Sequence, residues 1–164
     1  MTGNKLSKED KKAELLKYRD LLLATIDYCI DNKLMQIKTV DFDSVQYYKK
    51  LKQQTEEHFQ KGRLTRLKQW FRDLTEMQIE TGALKFNKYL QEKTKYEIDI
   101  FKSYFQRVDK IIKKGKITTD NQFYDLGIMV DQLCQTEPVP KEKIDLLNKL
   151  LLDYEQRKVK KPNA

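Results

Sequence analysis

Apolar residues recur along most of this chain at spacings of three and four, the period of one face of an α-helix. Leu15, Tyr18, Leu22, Ile26, Cys29 and Ile30 form such a face, and Leu16 and Leu23 widen it. A helix ending near Asn32 or Lys33 with so broad a stripe is expected to touch more than one neighbour. Ser7, with Asp10 following in its first turn, gives that helix an approximate capping box. Residues before Ser7 carry no periodic apolar content and read as frayed.

Leu34 to Val40 leaves two readings open, a short extended piece or an irregular connection. Asp41 or Asp43 then caps a second helix with Val45, Tyr48, Leu51, Thr55 and Phe59 on its apolar side. A third helix begins at Leu64 or Thr65 and turns Leu67, Trp70, Phe71, Leu74 and Met77 inward. Gly82 is expected to break or sharply bend the run, with a fourth helix from there to Lys114 carrying Phe86, Leu90, Phe101, Tyr104, Phe105, Val108, Ile111 and Ile112. The fifth helix, capped by Thr118 or Thr119, presents Phe123, Leu126, Val130, Leu133 and Cys134. Gly127 in its interior costs about 1 kcal/mol relative to Ala and points to a close helix crossing there. After Pro140, Ile144, Leu147, Leu150, Leu151 and Tyr154 stripe a last helix.

One punctuation pattern occurs at two helix ends, Lys61-Gly62-Arg63-Leu64-Thr65 and Lys114-Gly115-Lys116-Ile117-Thr118. Gly supplies a left-handed stop and Thr a cap for the next helix, so both read as hairpin corners. The pattern predicts an all-α fold, a compact bundle of about six helices in antiparallel hairpins. It places a single domain over residues 1–156 and a disordered basic tail over 157–164, where no apolar face continues.

Composition supports this picture. The chain of 164 residues is 39% hydrophobic and 35% charged, as expected for helices with one wet face each, and five Gly and three Pro leave little for a turn-rich sheet protein. No run approaches the roughly 20 apolar residues of a membrane span, and charges stand where a signal peptide would need an apolar core. These features predict a cytoplasmic protein without membrane attachment. Cys29 and Cys134 sit inside apolar patterns without metal-ligand spacing and read as buried free thiols.

Chemistry has few candidates. His58 is the only histidine, and nothing in the sequence brings a nucleophile and an orienting group to it. Glu56-Glu57, Asp41 with Asp43, and Glu76 with Glu80 read as solvated faces, and phosphate-binding glycine patterns are absent. Neither an enzyme nor a cofactor is expected.

The formal charge of +8 favours polyanions. Lys61, Arg63, Arg66, Lys68 and Arg72 crowd around a helix start with Trp70 among them, while Lys113, Lys114 and Lys116 form a second basic corner. These are the candidate nucleic-acid contacts, to DNA or RNA through phosphate. Tyrosine joins apolar area to a polar end, which makes Tyr47, Tyr89, Tyr96 and Tyr124 the candidate protein interface. Together these features read as a non-enzymatic interaction protein, an adaptor or regulator binding a protein partner. The alternative is a nucleic-acid-associated protein using its basic corners, and assembly into a homo-oligomer is left open.

Overall fold

A computed structural model describes residues 5–32 and 36–161. The fold is all-α, with seven helices and no strand longer than a single bridge among the described residues: α1 (Lys8–Asp31), α2 (Ser44–Gln60), α3 (Leu64–Glu80), α4 (Leu84–Thr94), α5 (Ile100–Lys114), α6 (Asp120–Cys134) and α7 (Lys141–Val159). The chain forms two compact units, the first ending at Ile98 and the second beginning at Asp99. Among the described residues no helix is long and apolar enough to cross a membrane.

In the first unit α1 packs against α2, α3 and α4. Leu21, Leu22, Ala24, Thr25 and Ile26 are all buried, so this part of α1 is covered all round. Leu51 from α2, Leu67, Phe71 and Ile79 from α3, and Phe86 and Leu90 from α4 complete the core. Tyr18 meets Phe71 edge-on at 5.8 Å, and Tyr28 meets Phe86 edge-on at 5.0 Å. Thr25, Thr55 and Thr75 are buried in the three longest helices of this unit, and each donates its hydroxyl to the carbonyl four residues back, at 2.7, 2.8 and 2.7 Å. That bond satisfies the hydroxyl within its own helix, leaving a small side chain at the packed face.

The ends of these helices follow the sequence signals in part. Ser7 Oγ accepts from the Asp10 amide at 3.1 Å and donates to its carboxylate at 2.6 Å, so the α1 cap forms; residues 1–4 of the expected frayed segment lie outside the described residues. Of the two candidate caps for α2 the structure uses Asp43, which accepts from the Val45 amide at 2.9 Å. Before it the chain makes a tight extended turn, with a Lys38–Asp43 bridge and the Thr39 amide donating to the Phe42 carbonyl at 2.7 Å.

At the first corner Gly62 has φ +64°, the Arg63 amide reaches back to the His58 carbonyl, and Leu64 already begins α3. Thr65 therefore lies inside the first turn and caps nothing; Arg63 is the N-cap residue and makes no side-chain cap bond. The same turn recurs at Gly82, also at φ +64°, with the Ala83 amide on the Gln78 carbonyl and Leu84 starting α4. The expected break is therefore a full corner.

The expected fourth helix is two helices. It stops at Thr94, whose hydroxyl donates to the Leu90 carbonyl at 2.6 Å, and Lys95 takes φ 61°. Asp99 then caps α5, accepting from the Phe101 and Lys102 amides at 3.0 Å each. A helix-ending left-handed residue and a fresh cap raise the count from about six to seven.

In the second unit α6 packs against both α5 and α7. Ile100, Tyr104, Val108 and Ile111, Leu126, Ile128 and Met129, and Leu147, Leu150 and Tyr154 are its buried positions, with Ile117 fully buried from the connecting loop. Thr119 is the cap of α6. A Cβ built on Gly127 would meet nothing within 4 Å, so the close crossing expected there does not exist. The residues at which the disordered basic tail was expected to begin are helical. Arg157 and Lys158 belong to α7, where Arg157 donates to the Ile117 carbonyl at 2.8 Å and Lys158 to Asp120 at 2.5 Å. Side chains anchored on the loop before α6 and on its first turn extend α7 by a turn that its apolar pattern does not mark. Residues 162–164 lie outside the described residues.

Candidate functional site

Two concave surfaces of the first unit collect the candidate residues. One is a groove of about 400 Å³ between α2 and α3, lined by Tyr47, Leu51, Trp70 and Leu74, with Lys50, Gln54 and Asp73 supplying polar edges. The two helices run antiparallel across the Gly62 corner, so Leu51 faces the level of Leu74, and His58 meets Trp70 edge-on at 4.8 Å. Tyr47 is 47% exposed and stacks obliquely on Phe42 and Tyr48, at 5.8 and 5.7 Å. Trp70 is half-buried, held on one side by His58 and open to the groove on the other.

The second surface is larger, about 820 Å³, and lies where the start of α3 meets the segment leading into α1. Lys5, Lys11, Arg63 and Arg66 line it together with Thr65 and Gln69, and among the described residues no carboxylate does. Glu9 and Asp10 occupy the first turn of α1, and neither is part of the lining. Among the described residues none of the four cations takes part in an ion pair. At the start of α3 the Leu64 amide turns back on the Gly62 carbonyl at 3.0 Å, and the N-cap residue Arg63 makes no side-chain cap bond.

The corner cations act on the single histidine. Arg63 Nη1 lies 3.5 Å from His58 Nδ1. Burial lowers the imidazole pKa, and Arg63, Arg66 and Lys61 lower it further against a smaller opposing pull from Glu57. His58 is accordingly held toward its neutral form, with its ring engaged by Trp70 and Arg63.

The structure separates the remaining candidates. Lys68 is bound to Glu14 at 2.9 Å and lies over the Tyr18 ring, so it belongs to the α1–α3 contact. Arg72 is half-buried along α3 and Lys61 is exposed at the end of α2. Lys113 and Lys114 are exposed in the last turn of α5, where cations complement the helix dipole. Lys116 lines a hollow of about 330 Å³ in the second unit with Arg157, Lys160 and Asp153, which joins the second basic corner to the end of α7. Arg157 is already engaged there by backbone carbonyls.

Of the tyrosines, Tyr89 is half-buried against the Tyr28 ring at 5.0 Å, and Tyr96 donates to Asp20 at 3.1 Å. Both fasten α4 and its following segment to α1. Tyr124 is 59% exposed on α6, edge-on to Phe123 at 5.9 Å. Tyr47 alone of the four lines the α2–α3 groove.

Lys5 and Lys11 carry no signal that sequence reasoning had singled out, because they reach the α3 start only through the packing of α1 on α3. Cys29 is buried and its thiol is pushed up by that burial, whereas Cys134, expected inside, is exposed near the end of α6. Asp120 accepts from Lys158 and from Tyr154, the latter at 2.7 Å, and these bonds hold its carboxyl below the usual range. Among the described residues no group of three or more His, Cys, Asp or Glu is arranged to hold a metal ion. Compared with known proteins, the chain matches no family model, no curated protein and no solved structure.

Proposed function

We propose that this chain is a non-enzymatic interaction protein, an adaptor or regulator that takes an amphipathic helix of a protein partner into the groove between α2 and α3. The observation that carries this reading is the juxtaposition of Tyr47, Leu51, Trp70 and Leu74 along one open groove. Two antiparallel helices present ridges between which a third helix can lie, with its residues at i, i+3, i+4 and i+7 filling the furrow. Exposed Tyr and half-buried Trp are the side chains that most often anchor such contacts.

Charge narrows the partner. Lys49 and Lys50 are exposed on α2, and Lys50 stands on the rim of the groove with Asp73 on the other edge. An apolar stripe flanked by Glu or Asp complements that rim.

Trp70 is the only tryptophan, so its emission reports on the groove directly. A synthetic 18-residue amphipathic peptide with Leu at i, i+3, i+4 and i+7 and Glu at its flanks should shift that emission on binding the full chain, and Leu74→Glu should abolish the response. The same peptide with Lys at its flanks should bind more weakly. Binding that survives Leu74→Glu, or emission unmoved by every peptide, refutes the reading.

A further inference from the structure

We propose that the groove between the start of α3 and the segment leading into α1 binds the phosphate backbone of a nucleic-acid strand. This surface is separate from the α2–α3 groove, and the inference does not rest on the protein-partner reading. Its basis is the convergence of Lys5, Lys11, Arg63 and Arg66 around one concavity of about 820 Å³ that, among the described residues, no carboxylate lines. Gathering four cations in one hollow costs mutual repulsion that a bound polyanion relieves.

The donors suit phosphate. Two are guanidinium forks, which meet phosphate oxygens with two parallel hydrogen bonds. The start of α3, whose N-cap residue Arg63 makes no side-chain cap bond, adds the positive end of a helix dipole beside Thr65, whose hydroxyl donates without charge. The hollow is large enough for a drug-sized ligand and so for more than one phosphate group.

The groove also shows what it does not read. Among the described residues no aromatic ring lines it, because Trp70 opens on the α2–α3 groove and packs its other side against His58. Base stacking, the usual source of affinity for unpaired strands, is therefore absent, and recognition goes through phosphate without regard to sequence.

Fluorescence anisotropy of the full chain with a labelled 12-nucleotide single strand and a 12-base-pair duplex, across a salt series, tests this. Neutralising up to four phosphates gives a log–log salt slope of about −3.6 for duplex and about −2.8 for single strand. Affinity should then fall about 150-fold and about 50-fold, respectively, between 50 and 200 mM salt. The two probes distinguish the source of the backbone, and binding of either kind with its slope supports the proposal.

Arg63→Glu with Arg66→Glu should abolish binding, and Arg63→Gln with Arg66→Gln should flatten the slope by about 1.8 for duplex and about 1.4 for single strand. Lys88→Glu with Lys93→Glu, which changes net charge equally on α4, should leave most of the affinity. Unchanged far-UV circular dichroism confirms that the variants fold. A second readout is the His58 ring resonance. Neutralising Arg63 and Arg66 with the probe should raise its titration midpoint, since these groups and Lys61 depress it while Glu57 opposes them. Binding that persists after charge reversal, a flat salt dependence, equal affinity for a poly-glutamate of the same length, or no binding at low salt each overturns the assignment.

Discussion

Adding one methyl group at two glycines of the second unit should change stability in opposite directions. Gly115 ends α5 at φ +68°, whereas Gly127 sits in the interior of α6, and a Cβ at either position would meet nothing within 4 Å. Sterics with neighbours therefore do not enter, and the backbone alone sets the sign. At Gly127 Ala adopts the helix about 1 kcal/mol more favourably than Gly. At Gly115 an L residue in the left-handed region costs about 1–2 kcal/mol, and reduced freedom of the unfolded chain returns about 0.4–1, leaving a loss of about 1 kcal/mol. The two variants should differ by about 2 kcal/mol, or about 30-fold in opening equilibria. Native-state amide hydrogen exchange of α5, α6 and α7 reads this locally, whereas Trp70 emission reports the other unit. Protection should rise in Gly127→Ala and fall in Gly115→Ala. Lower protection in Gly127→Ala would mean that α6 is approached closely there after all, and the argument from open space would fail.

Three further outcomes test the structure elsewhere. Arg107 donates to the buried Asp125 carboxylate from Nε at 3.0 Å and Nη2 at 3.4 Å, so Asp125→Ala should cost about 1–2 kcal/mol, discounted because Arg107 is partly exposed and rehydrates. Urea unfolding of both single variants and the double Arg107→Ala, Asp125→Ala reads the pair, and strict additivity would show that the contact contributes nothing. Lys95 carries a side chain in the left-handed region at φ 61°; Lys95→Gly should stabilise the first unit by about 0.5–1 kcal/mol, seen as a higher urea midpoint by Trp70 emission, and an unchanged midpoint refutes it. The His58 ring should titrate below its ordinary 6.5, since burial and then Arg63, Arg66 and Lys61 depress it. A depressed folded value means that this contribution to stability is complete above pH 6.5 and is lost as pH falls through the folded midpoint. Proton NMR of this single histidine checks the direction, Arg63→Ala should move the midpoint back up, and a midpoint above 6.5 would contradict the placement of the cations.

Two identical-looking corners turned out to be different devices. Gly62 and Gly115 share the basic-Gly-basic-aliphatic-Thr pattern, yet α3 starts at Leu64, two residues after its glycine, while α6 starts at Asp120, after a loop in which Ile117 is buried. The true geometric copy of the Gly62 turn is at Gly82, where the flanking residues are Thr81 and Ala83 and neither is basic. The pattern recorded the left-handed stop, which only glycine fills readily. The path of the chain beyond that stop depends on which apolar residue finds a core to enter. The expected single helix from Gly82 to Lys114 missed the stop at Lys95 and the fresh cap at Asp99, because neither interrupts the apolar stripes that lie on either side of them.

Period, caps and glycine stops were written locally, and from them came the helical class, the α1 and α2 caps, the break at Gly82 and the buried Leu22, Ile26 and Cys29 of α1 and Leu67 and Phe71 of α3, whereas Trp70 and Leu74, expected inside, line an open groove. The sites were not local. Lys68 and Arg66 look equivalent along the chain, but helix packing sets Lys68 against Glu14 and leaves Arg66 with Lys5 and Lys11 around an open groove. Which charges are neutralised and which stay available is decided by neighbours distant in sequence. Only the tertiary fold supplies those neighbours, because electrostatic and apolar contacts depend on distance in space.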